Sequence, residues 1–184
     1  MLKNRPDFRP ALRPGGRPQA GFTIIEVMIT VTILAIVMVI GAPAMRDFMV
    51  RNRITGQSSD LASDLQLARS EANRRGQRVV VCQTDSTYAA CGTGGWTAGW
   101  ILFIDANSNA ALDTGEEVIR VHQALPTDLT VAVSPSATKV TYRPTGMSDA
   151  ARTFTICQTK YIGRVLSISV TGRTTVAPTA AVCP

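Results

Sequence analysis

The strongest pattern in the chain is an apolar run close to its start. Residues 22–45, FTIIEVMITVTILAIVMVIGAPAM, are almost wholly apolar, and about 20 such residues are what a helix needs to cross a bilayer. The pattern then changes to a stripe. Ile54, Leu61, Leu65, Ala68 and Ala72 follow in steps of seven, four, three and four, which places apolar groups along one side of a polar helix and predicts that this half packs against a folded domain. Arg74 and Arg75 suit the negative end of a helix dipole and Gly76 suits the position just past it, so the helix is expected to stop near Gly76. Within it, Pro43 removes one hydrogen bond and crowds the preceding turn; with Gly41 it predicts a kink or local melting, and Gly56 is a second weak point.

Beyond Gly76 the chain turns to short runs rich in Val, Ile, Thr and aromatics, bounded by Gly, Pro, Asp and Asn. Strands are expected over residues 78–83, 99–105, 117–124, 129–133, 139–143, 152–158 and 164–170. A long helix packed on an antiparallel, β-rich globular domain is an α+β fold. At 184 residues, one such domain plus an N-terminal extension accounts for the length, with no repeat or low-complexity linker.

Charge changes this picture in one respect. Net charge is +6, but residues 1–21 hold Lys3, Arg5, Arg9, Arg13 and Arg17 against Asp7, leaving only +2 for the remainder. The basic balance therefore does not by itself argue for nucleic acid. Lys/Arg-rich flanks stay in the cytoplasm, so the domain after the apolar run is expected on the far side of a membrane, with that membrane as a partner. Four cysteines, Cys82, Cys91, Cys157 and Cys183, allow three pairings; spacing favours Cys82 with Cys91 and Cys157 with Cys183. With no Cys-x-x-Cys and a single histidine, His122, disulfides in an oxidising compartment are a better reading than zinc.

One residue contradicts the apolar run. Glu26 is a carboxylate inside it, where an acidic side chain costs about 2.5 to 3.5 kcal/mol on insertion scales. A cut after Gly21 would place a new amine on Phe22, four residues before Glu26 and one helical turn away. In an assembly, Glu26 would instead meet the amine of a neighbouring subunit, and a charge satisfied only there would set the packing register. An ordinary secretory signal has its small-residue cleavage site after the apolar region, whereas Gly21 precedes it.

Gly21-Phe22-Thr23-Ile24-Ile25-Glu26 followed by an apolar helix resembles the type IV prepilin and pseudopilin signature. The resemblance implies that a prepilin peptidase cuts between Gly21 and Phe22 and methylates the Phe22 amine, that Glu26 is the filament-register carboxylate, and that Pro43 is a pilin proline. The chain then divides into a leader (1–21), a transmembrane assembly helix (22–45), an amphipathic helix (46–76) and a β-rich domain (77–184).

A second stretch narrows the likeness. Gly99-Trp100-Ile101-Leu102-Phe103-Ile104-Asp105-Ala106-Asn107-Ser108-Asn109, with Asp113, Gly115, Glu116 and Ile119-Arg120, resembles the minor pilins FimT and FimU and the secretion pseudopilin GspH. That implies a pilin fold, other major and minor pilins as partners, and a filament subunit of a type IV pilus supporting assembly and hence motility, adhesion or DNA uptake. A pseudopilin of a type II secretion filament in the periplasm is the alternative. FimT-like pilins hold DNA through Gly-Arg-x-Arg near the C-terminus; here Gly172-Arg173-Thr174-Thr175 matches the first arginine alone, and Lys160, Arg164 and Arg173 are the candidate DNA contacts.

The same stretch also has the ligand spacing of a calcium loop, with Asp105, Asn107, Asn109, Asp113 and Glu116 at positions one, three, five, nine and twelve. Against calcium, Ala110 stands where that loop needs glycine and the flanks read as strands, so a turn-rich hairpin loop is expected and no cofactor or metal. Trp96 and Trp100 are expected in the core or on a strand face, and His122 in a structural or surface position. No nucleophile with a base and no phosphate-binding loop can be assembled, so no enzyme is expected.

Overall fold

The computed structural model describes residues 21–183; apart from Gly21, the leader lies outside the described residues. Helix α1 spans Ile24–Arg75, 52 residues. Helical hydrogen bonding continues through Gly41, Pro43 and Gly56, so the local melting expected at the proline is not found. A proline in a helix interior removes one N–H donor, and Ala42 and Ala44 beside it remain helical. The chain divides into two compact units at the bond between Pro43 and Ala44.

In the first unit, all the described residues are solvent-exposed, Phe22, Ile24 and Val39 among the most open. This is the segment whose length and apolarity suit a membrane span.

The second unit holds the rest of α1 and eight strands: β1 (Arg78–Gln83), β2 (Trp100–Asp105), β3 (Val118–His122), β4 (Thr130–Ser134), β5 (Lys139–Tyr142), β6 (Arg152–Cys157), β7 (Ile162–Ile168) and β8 (Thr174–Val182). They form two four-stranded antiparallel sheets, ordered β3-β2-β1-β5 and β4-β6-β7-β8. Seven strands lie at or within two residues of their expected positions. β8 is the one that the sequence pattern misses: Pro178 interrupts its run, and Ala177, Ala180 and Ala181 dilute the threonines and valines that mark strands. An edge position explains the tolerance, because a proline there leaves no partner strand without a donor.

The predicted stripe is the helix's inner face. Ile54, Leu61, Leu65, Ala68 and Ala72 are buried, and Ser58 fills the gap in the period, donating to the Thr55 carbonyl. They join Val79, Val81, Trp100, Leu102, Val140 and Tyr142 of the first sheet and Phe154, Ile156, Leu166 and Ile168 of the second in one core. A smaller cluster of Val80, Cys82, Ile101, Phe103 and Ala110 covers the other face of β1 and β2. Burial on both faces accounts for the unbroken apolar runs VVVC and WILFI, where a half-buried strand would alternate.

At its end, α1 is stopped by Gly76 at φ +65°, whose N–H reaches the Ala72 carbonyl. Arg74 and Arg75 both bind Glu71, and Arg75 also forms a two-point pair with Glu117 beside β3. These ion pairs hold the Glu71 and Glu117 carboxyls below the usual range. Two disulfides close the second unit: Cys82 with Cys91, and Cys157 with Cys183.

Candidate functional site

The features that could act on other molecules fall at the start of α1 and on the surface of the head. At the start, Gly21, Phe22 and Thr23 precede the first helical residue, with Phe22 84% exposed. Thr23 is the helix cap: its hydroxyl oxygen accepts the Glu26 N–H at 3.3 Å. The run Thr-x-x-Glu is the signature of a capping box, so Glu26 has a local place at the helix start beside the pairings expected of its carboxylate. An acid in the first turn also suits the positive end of the helix dipole. Among the described residues no cation lies within ion-pair distance of the Glu26 carboxylate, which is exposed.

In the head, Trp100 organises a polar cluster that sequence spacing does not reveal. Its indole Nε1 donates to the buried Asp64 of α1 at 2.8 Å, and Arg120 of β3 donates to the other carboxylate oxygen, also at 2.8 Å. His122 stacks on the Trp100 ring at 3.9 Å between centroids, with Nε2 3.8 Å from an Asp60 oxygen. Burial pushes the His122 imidazole below its ordinary value, against the pull of Asp64 and Asp60. Trp96 is equally internal, edge-on to Phe154 and donating to the Ala137 carbonyl. Asp64 sits one residue before Leu65 of the apolar stripe. An acid beside a stripe, and an arginine ending the run EVIR, are the only hints of the pair in the sequence.

The residues with calcium-loop spacing connect β2 to β3. Asp105 is buried and accepts the N–H groups of Asn109 and Ala110; Asp113 accepts from the Asn107 and Asn109 side chains, and Glu116 accepts the N–H groups of Ala106 and Asp113. Ala110 takes the left-handed conformation, φ +56°, that glycine would adopt more easily. The amide side chains lower the Asp113 carboxyl below its usual range. No group of three or more His, Cys, Asp or Glu converges as a metal cage among the described residues. The segment is a hydrogen-bonded hairpin loop whose Ala110 packs under the first sheet.

The candidate DNA contacts are not brought together. Lys160 lies in the turn between β6 and β7, Arg173 in the turn between β7 and β8, and Arg164 within β7. The two turns are separated by the length of β7, roughly 20 Å at about 3.3 Å per residue. Arg164 donates to the Thr55 hydroxyl of α1 at 3.3 Å. Arg173 instead lines an open groove of about 600 Å³ with Arg152, Ser134, Thr153, Ser167 and Thr175.

With this geometry in view, the comparisons agree. A family model described as type II transport protein GspH matches residues 57–172, and the prokaryotic N-terminal methylation motif matches residues 16–42. The chain belongs to the GspH family, the minor pilins and pseudopilins, which are structural filament subunits and not enzymes. Among solved structures, the type IV minor pilin FimU of Pseudomonas aeruginosa (strain PAO1) is 27% identical, with a TM-score of 0.54 over 71% of this chain and 92% of that one. The minor pseudopilin EpsH of the type 2 secretion system of Vibrio cholerae is 11% identical, with a TM-score of 0.52 over 70% of this chain and 99% of that one, which shows the fold alone. No curated protein sequence matches significantly.

Proposed function

We propose that the chain is a minor subunit of a type IV pilus, cut between Gly21 and Phe22 by a prepilin peptidase, methylated on the Phe22 amine, and held in the inner membrane until it joins other pilins. The observation that carries this reading is the start of α1. An exposed apolar helix begins two residues after Phe22, with a carboxylate in its first turn and no cation beside it among the described residues. A neighbouring subunit's Phe22 amine is the partner that would satisfy Glu26, and Pro43 is the point at which the helix would bend in the filament. The 27% identity to FimU supports the pilus over the secretion filament.

Replacing Glu26 with leucine tests the assignment. The variant is expected to insert in the membrane and lose its leader, yet to fall well below wild type in sheared filaments quantified by immunoblot. Full incorporation would remove the register argument. Deleting the gene should then reduce piliation and twitching; loss of protein secretion with intact pili would favour the pseudopilin reading, which the family description also fits. For DNA uptake, the supporting observation is the hydroxyl-lined groove with Arg152 and Arg173. Arginines beside hydroxyls hold phosphates without reading bases. Arg152 is engaged by Asp149 at 2.7 Å, so Arg173 is the groove's uncommitted cation. A gel shift with duplex DNA that Arg173→Ala abolishes is the expected result under that reading.

A further inference from the structure

The head has a built surface at the end where α1 enters it. The turn Gln158–Tyr161 is tied to the C-terminal strand three ways: Lys160 N–H to the Cys183 carbonyl, Cys183 N–H to the Tyr161 carbonyl, and the Cys157–Cys183 disulfide. Gly163 makes that closure possible, since a Cβ there would lie 2.8 and 2.9 Å from the two sulfur atoms. The result is a rigid tip that presents Lys160 at φ +73° to solvent. Tyr161 donates its hydroxyl to Asp47 of α1 at 2.9 Å, which fixes the tip against the helix and occupies the only acid among residues 44–59.

Around this contact the exposed groups are of two kinds. Arg46 and Arg51 flank Asp47 on α1 and lie close enough to act on the Tyr161 phenol; with Lys160 they make three cations. Phe48 on the helix is 60% exposed, and Ile162 and Val182, paired across β7 and β8, are 42% and 56% exposed. Cations interleaved with exposed apolar side chains and a tyrosine are the composition of surfaces that sit in the headgroup layer. Position along the chain agrees. Asp47 is two residues past the apolar run and Arg51 six, about 3 and 9 Å of helix rise, within or at the margin of the polar layer that flanks the hydrocarbon core.

We propose that this surface, Arg46, Arg51 and Lys160 with Phe48, Ile162 and Val182, docks the head onto anionic phospholipid headgroups while the subunit waits in the membrane. The proposal rests on residues 22–45 spanning the bilayer. Each cation near an anionic surface contributes the equivalent of about a fivefold change in equilibrium, so three give a strong preference that any event extracting the subunit has to overcome.

Hydrogen exchange on the full chain in nanodiscs separates the possibilities. Discs of phosphatidylcholine alone are compared with discs containing phosphatidylglycerol. Amides of residues 158–163 should exchange at least about fivefold more slowly with phosphatidylglycerol, and Arg46→Glu with Lys160→Glu should erase the difference. Equal exchange in both lipids overturns the proposal. So does slowing by added duplex DNA in phosphatidylcholine discs, or slowing in both lipids that grows with the number of chains per disc, which assigns the surface to DNA or to a second copy. Amides of residues 26–40 serve as the independent check: if they exchange freely in both discs, it is the membrane span that fails.

Discussion

Helix α1 carries two apolar surfaces that behave in opposite ways. Ile24, Ile33 and Val39 are more than half exposed, whereas Ile54, Leu61 and Leu65 are at most 1% exposed. The residue types are the same; their distribution around the helix is not. In the first segment apolar groups point in all directions, so no single folded face could cover them, and lipid or a ring of neighbouring helices is the medium that fits. In the second they lie along one stripe, and two sheets of the same chain cover it. One continuous helix is thus built to satisfy an external solvent at one end and an internal core at the other, and the two requirements are coupled by little more than the backbone.

Perturbations of either region should therefore leave the other intact. The largest effect is expected from Gly21→Glu, which should abolish leader removal, read as an unchanged mass of the full chain, while the head's thermal unfolding stays as in wild type. The reciprocal change is Trp100→Ala. Loss of a fully buried indole and of its bond to Asp64 should lower head stability by about 3 to 5 kcal/mol in a denaturant titration, with leader processing unaffected. Comparable or smaller is the double change Cys157→Ser with Cys183→Ser, which reopens a 26-residue loop and should cost about 3.5 kcal/mol on the chain-entropy account.

The smallest is a pH effect. Burial lowers the His122 imidazole below its unfolded value, so the unfolded chain binds the extra proton first. Its contribution to stability is present above about pH 6.5 and declines as pH falls from there through the lower folded value. His122→Asn should flatten that part of the stability profile. A Gly21 variant with an unfolded head, or a Trp100 variant that is no longer processed, would show that the two ends of α1 are not independent.

Most of the fold is legible from local pattern. The membrane-length apolar run, the seven-four-three-four stripe, the stop at Gly76 and seven strands all follow from periodicity and turn residues, because each is set by neighbours close in sequence. So is the Gly21-Phe22 signature with Glu26. The capping role of Thr23 is equally local, carried by Thr-x-x-Glu. What resists reading is whatever depends on position in a sheet or on partners far along the chain. β8 is a strand only because β7 offers it an edge. Asp64 and Arg120 are 56 residues apart and meet only when β3 lies beside the helix.

The sequence by itself determined that this chain has an anchor with a carboxylate in it, a long helix and a disulfide-bearing β-rich head. It could not decide that the head has two sheets, that the loop after β2 folds its acids onto its own amides, or that Arg164 of β7 reaches the Thr55 hydroxyl of α1. Those outcomes depend on which strands pair and in what register, and pairing between distant segments is fixed by the packing of the whole core.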